Sequence, residues 1–128
     1  MSLPSNGKLL ALDLGKRFTG VAISDPSQRV VFPRNEIETK DKAILVQRLK
    51  YLIEEEKIVG IIVGLPVNAE GDETRQSRWV HEVMEALNLH IPVHLEDEAY
   101  TSGTLDVDMR GRKDSLVAQR LMEKVLAL

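Results

Sequence analysis

Carboxylates follow or head apolar segments in three widely separated parts of the chain. Asp13 follows the apolar run at residues 9–12, Glu98 lies in an acidic triplet after a second run, and Asp114 heads the C-terminal segment. A charged group at the end of a buried strand costs several kcal/mol unless a cation compensates it. Carboxylate oxygens are the ligands that Mg²⁺ prefers. The pattern therefore predicts a Mg²⁺ or Mn²⁺ site that supports phosphoryl transfer.

Two metal ions about 4 Å apart can hold the attacking water and the leaving oxygen of a phosphodiester. Asp13, at the end of a strand, is expected to be the ligand that bridges them. The second ligand is Glu98 or its neighbour Asp97, which point to opposite faces of a strand, so the choice stays open. Asp114 is the third. Plainer interpretations also exist: residues 96–98 could be a solvated turn, and Asp114 could cap the helix that follows.

Composition predicts one globular domain spanning residues 1–128, since 128 residues with 43% hydrophobic content can bury a single core. The chain has no cysteine, which excludes disulfides and thiolate metal sites. Three histidines lack metal-ligand spacing. No apolar leader and no run of ~18 apolar residues is present, so we expect a cytoplasmic protein without a membrane segment.

The net charge of −3 argues against a protein held on nucleic acid by bulk charge. Local clusters of cations could still contact phosphates around an acidic site, although each could equally be a solvated face. These clusters are Lys16-Arg17, Arg75 with Arg78, and Arg110-Arg112-Lys113.

Apolar periodicity and turn residues predict eight elements in the order βββαβαβα. The expected strands are residues 8–13, 19–24, 29–32 (ended by Pro33), 58–63 and 91–95; the expected helices are 41–57, 74–87 and 115–128. This order indicates an α/β fold, a mixed five-stranded sheet of three antiparallel and two parallel strands with helices on both faces. Right-handed crossovers place the ends of the parallel strands, and the functional groups, at one edge.

The segment at residues 64–71 is predicted to be a loop that leads into a helix N-terminus. Free amides at such a terminus can bind a phosphate, with Asn68, Arg75 and Arg78 nearby. An ordinary connection between a strand and a helix explains the segment equally well.

Four segments resemble the motifs of the YqgF/RuvX family, in the same order and over almost the whole chain. They are Ala-Leu-Asp-Leu-Gly at 11–15, continuing to Gly-Val-Ala-Ile-Ser-Asp at 20–25, Gly-Leu-Pro-Val-Asn-Ala-Glu-Gly at 64–71, Asp-Glu-Ala-Tyr-Thr-Ser at 97–102, and Asp-Ser-Leu-Val-Ala at 114–118. The resemblance implies an RNase H-like fold related to Holliday-junction resolvases. It also implies a nuclease that processes the 5′ end of pre-16S rRNA, with catalytic carboxylates at Asp13, Glu98 and Asp114.

The expected partner is a structured ribosomal RNA precursor or branched DNA, bound by a monomer or a weak homodimer. Substrate contacts are expected from Gly15, Lys16, Arg17, Asn68, Arg75, Arg78, Thr101, Arg112 and Lys113. Three departures from the family pattern bear on substrate binding. Ala99 stands where the family has an arginine, and Phe18 stands where the family has a basic residue. The segment at residues 101–114 is shorter than the family's.

Other functions share some of these features. The same fold supports resolution of branched DNA. An actin-like or sugar-kinase ATPase also carries an Asp-x-Gly after its first strand, but it needs two such domains, and 128 residues supply one. A non-catalytic binding or assembly factor is favoured by Ala99 and the short segment after it.

Overall fold

The computed structural model describes residues 2–99 and 113–128. The elements are β1 (Leu9–Leu14), β2 (Phe18–Ser24), β3 (Val31–Glu38), α1 (Lys42–Glu55), β4 (Gly60–Val67), α2 (Arg75–Leu87), β5 (Val93–Ala99) and α3 (Lys113–Leu126). The strands form one sheet in the order β3-β2-β1-β4-β5. β1, β2 and β3 are antiparallel neighbours, whereas β4 runs parallel to β1 and to β5. The predicted α/β fold with a mixed five-stranded sheet is confirmed.

The central strand β1 is buried on both faces of the sheet. Leu10, Leu12 and Leu14 belong to the core cluster that α1 and α2 cover. Leu9 and Ala11 belong to the cluster that α3 covers on the other face. Because side chains alternate along a strand, Asp13 shares the α3 face with Leu9 and Ala11.

Local capping explains where two helices begin. The Asp41 carboxylate accepts a hydrogen bond from the Ile44 N–H at 3.2 Å and so caps α1. Thr74 begins α2 through a capping box with Ser77, in which each side chain accepts the other's backbone N–H. Among the described helices, none combines the length and apolar character needed to cross a membrane.

Three strands extend well beyond the ends that the sequence predicted, and two of the extensions run through a proline. β3 continues through Pro33 to Glu38, and β4 continues through Pro66 to Val67. β3 lies at the edge of the sheet, where a missing N–H is tolerated. Pro66 lies beyond the last β1–β4 pair, which Val63 makes, so β4 has only β5 as a neighbour there.

The third error concerns β5, which includes the acidic residues 96–98 instead of ending before them. β5 is the other edge strand, and its polar side chains need not be buried on both faces. α3 begins at Lys113, so Asp114 lies inside its first turn and not at the capping position. The interpretation of Asp114 as a simple helix cap is therefore wrong.

Candidate active site

Asp13 is a partly buried carboxylate near the end of the central strand, on the face that α3 covers. Burial, followed in order of size by the nearby carboxylates of Asp114, Glu98 and Glu36, raises the pKa of Asp13 from 3.8 to about 7. Among the described residues, no cation forms an ion pair with Asp13. Carboxylates from four elements therefore converge on one position that no cation of the described residues pairs with.

Gly20 is the reason that Asp114 lies beside Asp13. Gly20 pairs with Asp13 across β1 and β2, and a Cβ atom at Gly20 would lie 2.0 Å from the Asp114 carbonyl oxygen. The first turn of α3 therefore rests directly on the β2 backbone. The buried Ser115 Oγ accepts a hydrogen bond from the Val21 N–H at 3.0 Å, which fixes the same turn.

Glu98 approaches the site from β5, where it pairs with Pro66 of β4. A Cβ atom at Gly64 would lie 3.9 Å from Glu98 Cβ and 3.3 Å from Leu121 of α3, so Glu98 lies on the α3 face. Burial raises the pKa of Glu98, and the positive charge of Lys124 opposes that rise. Alternation along the strand places the exposed Asp97 on the opposite face.

A fourth carboxylate, Glu36 of β3, was missed by sequence reasoning. The Asp114 backbone N–H donates a hydrogen bond to Glu36 Oε2 at 3.2 Å. Burial raises the pKa of Glu36, and a side-chain hydrogen bond with Asp114 raises it further. Because the strand was expected to end at Pro33, no local signal distinguished Glu36 from the neighbouring Glu38.

The carboxylates around Asp13 are chemically suited to binding a hard divalent cation. The convergent side chains are all carboxylates, and their mutual repulsion is what a bound cation relieves. However, within residues 2–99 and 113–128 no group of three or more acidic or histidine side chains is already arranged to hold a metal ion. Cation binding would thus require some of these side chains to rotate towards Asp13.

The turn after Asp13 is held by α2. The Gly15 N–H donates to the Phe18 carbonyl at 3.0 Å, and the Gly15 carbonyl accepts a hydrogen bond from Trp79 Nε1 at 3.0 Å. A Cβ atom at Gly15 would lie 2.5 Å from the Phe18 carbonyl oxygen, so the position requires glycine. Trp79 also packs against the core, so its hydrogen bond to Gly15 depends on the tertiary contact.

The predicted substrate-binding cations differ in their surroundings. Arg17 donates to Glu38 at 3.0 and 3.2 Å, and its guanidinium lies 5.0 Å from the centre of the Phe18 ring. The positive charge of Arg17 is therefore already paired with a carboxylate of the protein. Lys16 is exposed beside it, and Arg75 and Arg78 are exposed at the start of α2.

Asn68 closes the connection between β4 and α2. Its side-chain oxygen accepts the N–H groups of Glu70 and Asp72 at 3.0 and 2.9 Å. Thr74 and Ser77 occupy amides at the start of the helix, and Ser77 also donates to the Pro66 carbonyl. These amides are bonded to side chains of the same segment, as in an ordinary connection between a strand and a helix.

The last three residues predicted to contact the substrate lie outside the described residues or have side chains that do. Thr101 and Arg112 lie outside the described residues, as does most of the shortened segment at 101–114. Lys113 opens α3, and its side chain is likewise outside the description.

Comparison with known families gives a match over almost the whole chain. The family model of RuvX, described as a Holliday junction resolvase, matches residues 7–127. The chain belongs to the RuvX family.

Curated relatives of this RuvX-family chain cover nearly its whole length. A protein of Maridesulfovibrio salexigens is 32% identical, over 94% of this chain and 98% of the relative. A protein of Rickettsia peacockii is 30% identical, over 94% of this chain and 86% of the relative. Both carry the name "Putative pre-16S rRNA nuclease".

Among solved structures, RuvC of T. thermophilus in complex with a Holliday junction substrate resembles this chain over 94% of each protein, with a TM-score of 0.62. The sequences are 11% identical, so this likeness shows the fold alone. It confirms the RNase H-like fold that the motifs implied.

Proposed function

We propose that this RuvX-family protein is a nuclease that hydrolyses phosphodiester bonds in a ribosomal RNA precursor, at the 5′ end of pre-16S rRNA. The observation that carries the proposal is the convergence of other carboxylates on the partly buried Asp13; burial and these carboxylates raise the pKa of Asp13 to about 7. Strongly perturbed carboxylates of this kind are typical of functional sites. The names of the relatives support the choice of RNA.

Asp13, Glu98 and Asp114 are the residues that would hold Mg²⁺ or Mn²⁺. When bound, such a cation neutralises charge on the phosphodiester and lowers the pKa of a coordinated water. Asp13 holds its position from the central strand, Glu98 from the edge strand and Asp114 from the first turn of α3. Asp97 is not needed in this arrangement, because it lies on the opposite face of β5.

Three exposed cations are Lys16, which follows β1, and Arg75 and Arg78, which lie at the start of α2. Long, exposed side chains of this kind bind phosphates by electrostatic attraction, which weakens as salt is added. We propose that they contact the RNA backbone on either side of the cleaved bond. Arg17 contributes less, because Glu38 already neutralises it.

The test is cleavage of an end-labelled pre-16S rRNA fragment by wild type and Asp13→Asn in the presence of Mg²⁺ or Mn²⁺. The variant should lose at least ~10²-fold in rate, as follows when a group that stabilises transition-state charge is removed. Glu55→Gln, which changes an exposed acid on α1, is the matched control and should cleave at the wild-type rate. Wild-type cleavage by a folded Asp13→Asn protein would exclude the proposal.

Branched DNA is the second candidate substrate. The family description names a Holliday junction resolvase, which favours this alternative. Incubating the same preparation with a four-way DNA junction separates the two candidates. Two symmetric nicks require two active sites, so junction resolution would also require a dimer.

A non-catalytic assembly factor is the third interpretation, favoured by Ala99 in place of the family's arginine. Asp13→Asn separates it from the enzyme, because a scaffold would keep its biological activity without the carboxylate. The cytoplasmic location and the monomer or weak homodimer expected from the sequence stay predictions.

A further inference from the structure

We infer that Glu36 is a positioning residue for Asp114: its carboxylate caps the first turn of α3 and holds Asp114 beside Asp13. This inference rests on the proposed nuclease function and assigns a role to a residue that none of the four family motifs contains. Glu36 lies on β3, 78 residues before Asp114 in the sequence.

The contact satisfies a group that the helix itself cannot satisfy. The first backbone N–H groups of a helix have no partner within the helix. The Asp114 N–H is one of them, and it donates to Glu36 Oε2 at 3.2 Å. A carboxylate at this position is also attracted by the positive end of the helix dipole. Glu36 therefore acts as a capping side chain supplied by another element.

Two further contacts described for the same turn come from β2. Gly20 lies under the Asp114 carbonyl, and the Val21 N–H donates to Ser115 Oγ. Without Glu36, these contacts would still hold the turn against β2, but no described hydrogen bond would join the turn to β3. Glu36 thus restrains the direction in which Asp114 could move away from Asp13.

The local irregularity of β3 explains why Glu36 reaches the helix. The pairing of β2 with β3 shifts between Thr19 and Val21, so β3 carries an extra residue opposite Gly20. Such a bulge redirects a side chain and is frequent beside active sites. Glu38, two residues later, lies beyond the bulge and binds Arg17 instead.

A positioning role predicts a specific kinetic pattern. A displacement of about 1 Å in a catalytic group can lower the rate by ~10²-fold, whereas substrate affinity depends on other contacts. Glu36→Ala should therefore lower kcat by at least ~10-fold and change KM by less than about 2-fold. Glu36→Gln keeps an oxygen that accepts the Asp114 N–H, and it should recover kcat to within about 3-fold of wild type.

The experiment measures kcat and KM on the rRNA precursor for wild type, Glu36→Ala, Glu36→Gln and the control Glu55→Ala. Amide hydrogen exchange at Asp114 and Ser115 is measured in parallel by NMR. Faster exchange at Asp114 in Glu36→Ala, with wild-type exchange in Glu36→Gln, is the expected result. Because Glu36→Gln keeps the side-chain volume, it stays informative if the alanine variant folds poorly.

Three results would overturn the inference: a wild-type or higher kcat in Glu36→Ala, a Glu36→Gln variant as slow as Glu36→Ala, or unchanged exchange at Asp114. Failure of the proposed function has a different signature, namely a wild-type protein that does not cleave or an Asp13→Asn variant that does. The exchange measurement decides whether Glu36 holds the turn in either case.

Discussion

Asp13 and Gly20 are antiparallel partners on β1 and β2, and the helix that carries Asp114 begins over this pair. The absence of a side chain at Gly20 brings the Asp114 backbone against the sheet. That approach adds a negative charge next to a carboxylate that is already partly buried. One glycine therefore accounts for both the assembly of the site and much of its electrostatic cost.

Gly20→Ala should displace α3 and destabilise the protein. The new methyl group would lie 2.0 Å from the Asp114 carbonyl oxygen, a distance that forces the backbone to move. We expect a loss of more than ~2 kcal/mol in the free energy of unfolding, measured by urea denaturation. Gly71→Ala is the control, because this glycine has a φ of +85° but open space around it. Its backbone strain should cost ~1 kcal/mol, and equal losses in both variants would contradict the steric argument.

Asp13→Asn should stabilise the metal-free protein at high pH. The pKa of Asp13 is about 7 in the folded protein and near 3.8 when unperturbed, so the folded state binds the proton more tightly. This contribution to stability is complete below pH 4 and is lost as the pH rises towards 7. Between pH 5 and pH 8 the difference in unfolding free energy should shift by about 2.6 kcal/mol in favour of the variant. Denaturation at both pH values, without divalent cations, tests this; a constant difference would mean that Asp13 titrates normally.

Millimolar Mn²⁺ or Mg²⁺ should raise the Tm of the wild-type protein at pH 8. A cation that binds only the folded state adds about 2.7 kcal/mol of stability when its concentration is 100 times Kd. Asp13→Asn should lose most of this effect, whereas Glu55→Gln should keep it. A wild-type melting curve that does not respond to either metal would count against a cation site at Asp13.

Glu98→Gln and Asp97→Asn should affect cleavage very differently, although the residues are neighbours. Glu98 lies on the α3 face with Asp13, and the exposed Asp97 lies on the other face. We expect a loss of ~10²-fold in cleavage rate for Glu98→Gln and less than about 3-fold for Asp97→Asn. The reverse order would show that β5 presents its other face to the substrate.

Several features of this protein followed from the sequence because they depend on local patterns. The run of apolar residues before Asp13 predicted a strand buried on both faces, and β1 has one core cluster on each side. The start of α1 was likewise predicted to within one residue, because its cap, Asp41, bonds a backbone N–H only three positions away. The ends of β3 and β4 were predicted too early, because whether a strand continues through Pro33 or Pro66 depends on the neighbouring strands.

The sequence alone determined the order of the elements and identified Asp13, Glu98 and Asp114 as candidates, because burial periodicity and motif spacing are local properties. The tertiary structure decided which face of β5 meets α3, and thereby favoured Glu98 over Asp97. It also brought Glu36 to Asp114 across 78 residues. No local pattern encodes such a contact, because it arises from a bulge on one strand and the docking of a helix on another.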